Sequence, residues 1–347
     1  MRKFKIENRL VGEGSVPLII AELGINHNGS LDNAIYLADK AIQAGAEIIK
    51  HQTHIPSDEM SHHAKKIIPL NAKKNIYDLI SKCSLKEKDE KKLMNYIKSK
   101  KTIFISTPFS RAAADRLARF KIPAFKIGSG ECNNYPLIEH ICKYKKPIIL
   151  STGMNSILSV KPSVKIIEKY KIPYALLHCT NLYPTPDKLV RLNCMLQLKE
   201  AFPNAVIGLS DHTVNNYSSY AALGLGASII EKHYTDTKKR KGPDISASMD
   251  KKEFSDLLKA SKTIFENLKF KKKKLPTKEE KSTMRFAFAS VVSIKNITKG
   301  EKFSKKNIWV KRPGTGTFLA KDFYRILEKR ASRNIKIDSF INKKDIA

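Results

Sequence analysis

The stretch AVIGLSDHTVNNYSSYAALGLGASIIEKHYT, residues 205–235, contains the repeating unit that decides the fold. Two short runs, AVIGLSDH (205–212) and ASIIEKHYT (227–235), are separated by a segment with helical spacing. The first half of each run is apolar on both faces, as in a parallel strand that is covered by helices. Each run then ends in polar side chains. His212 is therefore either a histidine packed at a strand end or part of a site.

The same unit recurs along most of the chain. The runs are PLIIAELG (17–24), AEIIKHQTH (46–54), TIFISTPF (102–109), AFKIGSG (124–130), PIILSTG (147–153), YALLHCT (174–180), AVIGLSDH (205–212) and ASIIEKHYT (227–235). Eight such units over roughly 260 residues predict an α/β fold of the (β/α)8 TIM-barrel type. An open doubly wound sheet is the alternative, but no G-x-G-x-x-G pattern follows the first run.

The segment after the first run illustrates the helical half of the unit. Ser30 is placed to cap a helix, Asp32 falls in its first turn, and Gly45 stops it. The gap between the second and third runs is longer. Residues 56–78 are expected to form an extra loop on the same side as the polar strand ends.

The pattern changes after a lysine-rich segment. Residues 268–285 predict a linker, and residues 286–347 show short strand-like pieces followed by a helical stretch from Ala320 to Arg330. We therefore predict a catalytic barrel domain over residues 1–267 and a separate small domain over residues 286–347.

Charge and cysteine content limit the classes of function. The formal net charge is +32, but the lysines are scattered and no DNA- or RNA-binding motif is found, so nucleic-acid binding is a distant alternative. We expect neither a nucleic acid nor a membrane as partner. The positive electrostatic field of the protein would attract a small anionic ligand. The five cysteines include no CxxC pair, and no signal peptide or membrane span is evident. This predicts a cytoplasmic protein with reduced thiols.

Polar side chains gather where the predicted strands end. Six of the nine histidines fall within or just after these ends, namely His27, His51, His54, His178, His212 and His233. Active sites of TIM barrels lie at the carboxyl ends of the strands, so the histidines predict a site there. Packing alone is a poor explanation for so many histidines in such positions, although any one of them can be structural.

Residue types indicate the chemistry of this site. Lys50 and Lys126 are compact cations that suit a carboxylate or a phosphate. Hydroxyl donors for the same anion are Thr107, Ser129, Ser151 and Ser210. His212 and His233 lie on neighbouring strands, where they can share one divalent metal ion or be packed core histidines.

Acidic residues and glycines complete the candidate set. Glu22, Glu131 and Asp244 can bind a polyol or transfer protons, whereas Glu231 is equally well explained as a buried salt-bridge partner. Glycine-containing turns at 128–130 and 151–153 let backbone N–H groups approach an anion. The strand that ends LLHCTN carries no lysine for a Schiff base. The residues alone thus predict a barrel enzyme for a small, anionic, phosphorylated ligand, with a metal site left open.

Ordered motifs also connect this chain to a known family. They are AELGINHNGS (21–30), IIKHQTH (48–54), STPFSR (106–111), FKIGSGECNNYPLI (125–138), STGMNS (151–156), LHCTNLYPTP (177–186), GLSDHT (208–213), EKHYTD (231–236), GPDISASMD (242–250) and FAFASVV with NIWVKRPG (286–314). Together they resemble the bacterial sialic acid synthases, or N-acetylneuraminate synthases. The resemblance implies a TIM barrel followed by a small antifreeze-like (SAF, β-clip) domain.

The resemblance implies a transferase reaction. Phosphoenolpyruvate would add through its C3 to the aldehyde carbon of open-chain N-acetylmannosamine. Water would then attack C2 of the oxocarbenium-like intermediate, and phosphate would leave by C–O cleavage to give N-acetylneuraminate. One Mn²⁺ or Mg²⁺ ion per site would polarise the aldehyde oxygen. Synthases that make legionaminic or pseudaminic acid from bacillosamine-derived sugars are the alternative.

The resemblance also implies roles for individual residues. His212 and His233 would be the metal ligands and, with Glu22 and Glu131, the catalytic residues. The implied phosphoenolpyruvate-binding residues are Lys50, Thr107, Lys126, Ser129, Ser151, Asn181 and Ser210. The implied sugar-binding residues are Glu22, Gln52, Asn71, Tyr183, Asp244 and Arg312.

Arg312 would enter the active site of the partner subunit and hold the N-acetyl group, which implies a domain-swapped homodimer. One departure concerns Lys232, where the family commonly has arginine. The ion pair at this position is therefore left open.

Overall fold

A computed structural model describes residues 2–69, 73–269 and 273–347. Its strands are β1 (Lys3–Ile6), β2 (Arg9–Gly12), β3 (Leu18–Gly24), β4 (Ile48–Thr53), β5 (Ile103–Pro108), β6 (Phe125–Ile127), β7 (Ile148–Ser151), β8 (Tyr174–Cys179), β9 (Val206–Asp211), β10 (Ile229–His233), β11 (Ser290–Ser293) and β12 (Ile308–Lys311). Its α-helices are α1 (Leu31–Gln43), α2 (Pro56–Glu59), α3 (Ile76–Cys83), α4 (Glu87–Ser99), α5 (Arg111–Arg119), α6 (Tyr135–Cys142), α7 (Ile157–Lys169), α8 (Asn193–Ala201), α9 (Tyr217–Gly224), α10 (Lys251–Lys269), α11 (Lys281–Ala287) and α12 (Phe323–Ile326).

Strands β3 to β10 form a closed parallel barrel in chain order, with β10 paired to β3. Each of them overlaps one of the eight predicted runs, so the (β/α)8 TIM-barrel prediction is confirmed. All residues of β3 and β8 are buried, because one face of each strand lines the barrel and the other contacts the helices. This is the physical reason for runs that are apolar on both faces.

Alternation along each strand divides its side chains between the barrel interior and the helix layer. Leu18 and Ile20 of β3 belong to the interior core, whereas Ile19 and Ala21 pack against the helices. The same alternation brings Glu22 to the interior at the carboxyl end of β3. The interior is therefore apolar at the amino-terminal end of the barrel and polar at the carboxyl end.

The amino-terminal end of the barrel is closed by a hairpin that the sequence analysis did not predict. Strands β1 and β2 pair antiparallel, with Phe4 opposite Val11. Phe4, Ile6 and Val11 are buried against the interior apolar residues of the barrel. Burial of a side chain of this size contributes about 1.5–3 kcal/mol. The hairpin is therefore part of the barrel core.

Helix α1 begins and ends as predicted. Ser30 Oγ accepts a hydrogen bond from Asn33 N at 3.3 Å, and Asp32 lies in the first turn. The helix stops before Gly45, whose φ of +101° favours glycine. The predicted loop 56–78 is more ordered than expected, because it contains α2, a 3₁₀ turn at His62–Lys66 and the beginning of α3.

The chain separates into two compact units, Met1–Phe270 and Lys271–Ala347. Both ends of the predicted linker, residues 268–285, are helical, since α10 continues to Lys269 and α11 begins at Lys281. None of the helices in the described residues has the length and apolar character that crossing a membrane requires.

The second unit has its own small core. Strands β11 and β12 pair antiparallel, and Val291, Phe303 and Ile308 are buried together with residues of α12. The predicted helical stretch Ala320–Arg330 is shorter in the structure: a 3₁₀ turn at Ala320–Asp322 leads into α12, which ends at Ile326.

Candidate active site

A cavity of about 110 Å³ opens at the carboxyl ends of the barrel strands. It brings together most of the predicted site residues, namely Lys50, Gln52, Thr107, Lys126, Ser129, Ser151, Asn181, Tyr183, Ser210, His212 and His233. Phe109, Gly128, Gly130, Cys179 and Glu231 complete the lining. The predicted side chains converge because they lie either at interior positions near the carboxyl ends of the strands or in the segments that directly follow them. Ser129, Asn181, Tyr183 and His212 belong to the second group.

Lys50 is buried in the wall of this cavity and paired with acidic groups. Its Nζ lies 2.6 Å from Glu22 Oε2 and 3.6 Å from Glu231 Oε1, and it donates a hydrogen bond to Thr107 Oγ1 at 3.1 Å. Burial lowers the pKa of Lys50, but the carboxylates of Glu22 and Glu231 outweigh it and hold the pKa above the ordinary value. Lys50 is therefore a fixed positive charge at the cavity.

Lys126 faces the same cavity, but it has one carboxylate within 4 Å among the described residues, whereas Lys50 has two. Its Nζ donates hydrogen bonds to Ser151 Oγ at 2.7 Å and to Ile127 O at 3.0 Å, and it lies 3.7 Å from Glu231 Oε1. Burial lowers the pKa of Lys126, and the attraction of Glu231 does not restore it. An anion bound beside Lys126 would favour the protonated form.

Glu231 lies between the two lysines. Burial raises the pKa of Glu231, but the charges of Lys126 and Lys50 lower it below the ordinary value. Glu231 Oε1 accepts a hydrogen bond from Ser210 at 3.2 Å, whereas Oε2 is buried and has no hydrogen-bond partner among the described residues. Glu231 is thus both a salt-bridge partner, one of the two readings of the sequence, and a lining residue of the cavity.

A glycine turn forms another side of the cavity. Ser129 Oγ accepts a hydrogen bond from Gly153 N at 3.0 Å. A Cβ on residue 153 would lie 1.9 Å from Asn181 Oδ1 and 2.9 Å from Ser129 Oγ, so a larger residue cannot fit without displacing both. Glycine here lets two polar side chains and the backbone converge on one small space.

His212 and His233 approach each other across β9 and β10, with ring centroids 5.5 Å apart. His212 Nδ1 lies 3.0 Å from Thr180 O and donates to this carbonyl, which leaves Nε2 unprotonated in the neutral ring. His233 Nδ1 is buried without a hydrogen-bond partner among the described residues. Gly24, with φ +53°, allows the backbone of β3 to pass close by, since a Cβ there would lie 3.0 Å from the His233 ring.

These two imidazoles fit a divalent metal ion. One ring has its second nitrogen fixed by a backbone carbonyl, as metal-binding histidines usually do, and the other presents an unpaired nitrogen. No group of three or more His, Cys, Asp or Glu side chains arranged to hold a metal occurs in residues 2–69, 73–269 and 273–347. An ion at His212 and His233 would therefore take its other ligands from substrate or water.

Tyr183 covers the histidines. Its ring lies 4.1 Å from that of His212 and 5.8 Å from that of His233, centroid to centroid. Burial and neighbouring acidic groups raise the pKa of Tyr183 well above its ordinary value. Tyr183 is therefore a neutral hydroxyl next to the imidazole pair.

The predicted carboxylates differ in their surroundings. Glu22 Oε1 accepts a hydrogen bond from Gln52 Nε2 at 3.0 Å, and Asp244 Oδ2 lies 3.6 Å from His233 Nδ1. None of the three carboxylates, Glu22, Asp244 and Glu131, is among the lining residues of the cavity. Glu131 accepts a hydrogen bond from Asn134 Nδ2 at 2.6 Å. Burial raises the pKa of Glu131 above its ordinary value.

Two further residues, Asn71 and Arg312, were predicted to bind the sugar. Asn71 lies outside the described residues. Arg312 is exposed in the second unit, directly after β12 and before Pro313.

Asp211 and Lys232, which the sequence left without a role, form a buried ion pair on the helix side of the barrel. Lys232 Nζ lies 3.0 Å from Asp211 Oδ2 and donates to Thr213 O at 2.7 Å and Asn215 O at 2.8 Å. The doubt about a lysine at this position is therefore removed, because lysine makes the ion pair and also holds the loop after His212.

Four of the six strand-end histidines, His27, His51, His54 and His178, are not among the lining residues of the cavity. His51 Nε2 lies 3.2 Å from His27 Nε2, and His51 Nδ1 lies 3.2 Å from Glu90 Oε1, behind the barrel wall. His178 Nε2 donates to Val190 O at 2.6 Å. Cys179, which sequence reasoning did not select, does line the cavity. The alternation from Leu177 could have indicated it.

The chain is similar to known proteins over nearly its full length. An N,N'-diacetyllegionaminic acid synthase of Campylobacter jejuni is 37% identical over 332 residues, which cover 93% of this chain and 98% of the relative. A pseudaminic acid synthase of the same species is 33% identical over 334 residues, covering 94% and 96%. The crystal structure of an N-acetylneuraminic acid (sialic acid) synthetase of Leptospira borgpetersenii superposes with a TM-score of 0.74 at 28% identity, covering 81% of this chain and 95% of that one.

Two family profiles match the chain. That of the NeuB family matches residues 37–273, and that of the SAF domain matches residues 288–347. The first match covers more than half of the chain and includes the strands that carry the cavity residues. The protein therefore belongs to the NeuB family and carries a carboxyl-terminal SAF domain.

Proposed function

We propose that this protein is a synthase of a sialic-acid-like sugar acid, which condenses phosphoenolpyruvate with an open-chain N-acylated hexosamine and water and releases phosphate. The observation that carries the proposal is the buried cluster of Lys50, Lys126 and Glu231 in the cavity, in which Glu231 Oε2 has no hydrogen-bond partner among the described residues. Two buried lysines and a ring of hydroxyl groups form a site for a small dianion or trianion. Membership of the NeuB family supports the same reaction class.

The sugar is proposed from the relatives. The 37% identity to a legionaminic acid synthase supports a bacillosamine-derived sugar as first candidate. N-acetylmannosamine, which the sequence resemblance had favoured, is the second candidate, supported by the structural likeness to a sialic acid synthetase at 28% identity. The two candidates differ in the groups at the far end of the sugar from the reacting aldehyde.

The cavity residues divide the chemistry as follows. Lys50, Lys126 and the hydroxyls of Thr107, Ser129 and Ser151 hold the phosphate and carboxylate of phosphoenolpyruvate, which orients its C3 toward the aldehyde. A new C3–C1 bond forms, water adds to C2, and the C2–O bond to phosphate breaks. Of the two protons of water, one passes to the aldehyde oxygen and the other to the departing phosphate as the C2 carbonyl forms, so atoms and charge balance.

Proton transfers require groups on both sides of the reacting atoms. We propose Glu131 as the donor, because burial already raises its pKa. Glu22 and Gln52 are proposed to hold the sugar. His212 and His233 are proposed to hold one Mn²⁺ or Mg²⁺ ion, which supplies Lewis-acid polarisation of the aldehyde oxygen when bound.

The test is a substrate panel. Purified protein with Mn²⁺ and phosphoenolpyruvate is given N-acetylmannosamine, its 6-phosphate and the two bacillosamine-derived sugars, and phosphate and the mass of the product are measured. Phosphoenolpyruvate labelled with ¹⁸O at the bridging oxygen should release labelled phosphate, because the C–O bond breaks. Absence of phosphate release with every sugar, with metal present, would show the proposal to be wrong.

We also propose a domain-swapped homodimer in which Arg312 contacts the sugar in the cavity of the partner subunit. Lys126→Met and Arg312→Ala are each expected to be nearly inactive alone. Co-expressed, they should recover about a quarter of the wild-type activity, because half of the dimers are mixed and each has one complete site. If Arg312 served its own barrel, the mixed dimers would contain no complete site and no activity would return.

A further inference from the structure

A chain of polar side chains leads from the edge of the cavity to a histidine outside it. Gln52 lines the cavity, and its Nε2 donates to Glu22 Oε1 at 3.0 Å. The other amide atom, Gln52 Oε1, lies 3.2 Å from His54 Nε2. His54 Nδ1 lies 2.8 Å from Glu59 Oε2. The chain therefore runs Glu22, Gln52, His54, Glu59.

The direction of each hydrogen bond in this chain follows from its ends. Glu22 contacts the Lys50 ammonium at 2.6 Å and accepts from Gln52, which commits the Gln52 N–H group to that side. Gln52 Oε1 then has to accept from His54 Nε2. Glu59 is also a carboxylate, so His54 Nδ1 donates to it as well. His54 therefore has an acceptor oxygen on each side of its ring.

His54 is held in place by packing as well as by hydrogen bonds. It is buried, and its ring stacks on that of Phe109 with centroids 4.2 Å apart and planes 13° apart. Phe109 itself lines the cavity. The short helix that carries Glu59 is attached to the next strand unit, because Asp58 Oδ2 accepts from Ala112 N at 2.9 Å. The ring of His54 thus has a fixed position and orientation.

We propose that His54 is a positioning residue that sets the amide orientation of Gln52 and so determines which group Gln52 presents to the sugar. With His54 donating, Gln52 keeps its second N–H for an oxygen of the substrate. Without that donor, the amide can rotate and place its oxygen toward the cavity. His54 reaches the sugar only through Gln52, and this inference rests on the proposed function for its substrate.

Matched variants separate this role from packing. His54→Leu keeps an apolar side chain beside Phe109 but removes the donor, whereas His54→Gln places an N–H near the position of Nε2. Loss of one hydrogen-bond partner for a buried polar group should raise the sugar KM about ten-fold in His54→Leu, with the phosphoenolpyruvate KM changed less than about two-fold. His54→Gln should recover most of the loss.

His140 offers a control. Its Nε2 pairs with Asp115 on the helix side of the barrel, where it lies 5.6 Å from the ring of Tyr144. His140→Leu also removes a histidine–carboxylate pair, but both KM values should stay at the wild-type level. If His54→Leu raised both KM values equally, or if His54→Gln were no better than His54→Leu, the positioning role would be wrong.

A second measurement does not depend on turnover. In protein labelled with ¹⁵N-histidine, the His54 signals, identified by their loss in His54→Gln, should show a proton on Nε2 in the absence of substrate. A ring that carries no proton on Nε2 would overturn the inference. An absence of turnover in the wild-type protein would instead contradict the proposed function, and the spectrum would still decide the state of His54.

Discussion

Two groups of buried lysines and carboxylates lie back to back on β10, and they differ in how completely they are paired. Lys232 faces the helices and has Asp211 and the carbonyl oxygens of Thr213 and Asn215 as acceptors within 3.0 Å. Its neighbour Glu231 faces the cavity with Lys50 and Lys126, and its Oε2 has no hydrogen-bond partner in the described part of the chain.

The difference shows how the same chemistry serves two purposes. A buried charge is costly unless it is fully paired, so the closed group around Lys232 is required for the folded state. The open group around Glu231 leaves one carboxylate oxygen without a donor, which a hydrogen-bond donor of a bound ligand would satisfy. We expect changes on the helix side to alter stability and changes on the cavity side to alter ligand binding.

The largest expected effect is on the cavity side. Lys126→Met should lower kcat/KM for phosphoenolpyruvate about 1,000-fold, because one of two cations for the anion is lost. The thermal midpoint should fall less than in Lys232→Met, because Glu231 keeps Lys50 at 3.6 Å. Lys169→Met, a substitution at a largely exposed lysine of α7, is the control and should be active. Comparable loss of stability in Lys126→Met would contradict the separation of the two sides.

The next effect is on the helix side. Lys232→Met leaves Asp211 buried without its cation and should reduce the free energy of unfolding by about 3–5 kcal/mol, measured by urea denaturation. Replacing both residues, Lys232→Met with Asp211→Leu, removes the unpaired charge. The double variant should therefore be more stable than the single one. A single variant as stable as the wild type would refute the role of this pair.

Acid should destabilise the protein through a third buried group, also on the helix side. Burial, and then the neighbouring charges of His51 and His54, lower the pKa of His27 from 6.5 to about 3. Between pH 6.5 and about pH 3, His27 binds a proton in the unfolded chain but not in the folded chain. Stability is therefore full above pH 6.5 and falls toward pH 3, by up to about 1.4 kcal/mol per pH unit.

His27→Gln should remove this dependence in the upper part of the range. Glu90, whose pKa is held below its ordinary value of 4.5 against the effect of burial by His51, Thr53 and Arg116, contributes only at lower pH. Its stabilisation is present above pH 4.5 and is lost as the pH falls through the folded value. Burial also lowers the pKa of His178 from 6.5, so the difference in urea midpoints between wild type and His27→Gln, from pH 6.5 to pH 4.5, reports on His27. Equal slopes in wild type and His27→Gln would rule the mechanism out.

The smallest expected effect is on the cavity side at high pH. The pKa of Lys126 lies below its ordinary value of 10.5, and only the protonated form attracts an anion. The KM for phosphoenolpyruvate should therefore rise several-fold as the pH increases through this lowered pKa. Initial rates across the alkaline range measure it. A KM that stays constant up to pH 10.5 would mean that Lys126 keeps its proton throughout.

Local patterns predicted much of this structure, because their causes are local. Ser30 caps α1 by bonding a backbone N–H three residues away, and a run such as 174–180 is apolar on both faces wherever it lies in the sheet. The β1–β2 hairpin was missed although Phe4 and Ile6 alternate with exposed lysines, since four-residue strands are a weak signal.

Partners distant in sequence could not be predicted in the same way. His27, His51 and His212 all lie near the carboxyl end of a strand, but of these three only His212 lines the cavity. The buried charge of Asp211 is stabilised by Lys232, which lies 21 residues later in the sequence, on the next strand. Nothing in the local sequence of either residue indicates the other.

The amino-acid pattern was sufficient for the barrel, for the end of the barrel that carries the site and for most of the residues at its mouth, since hydrophobic burial and strand period are properties of short segments. Only the closed barrel decided which polar residues face one another. Position along a strand selects the cavity or the helix layer, and barrel closure sets the few ångströms between strands that make Glu231 a bridge between two lysines and His54 a support for Gln52.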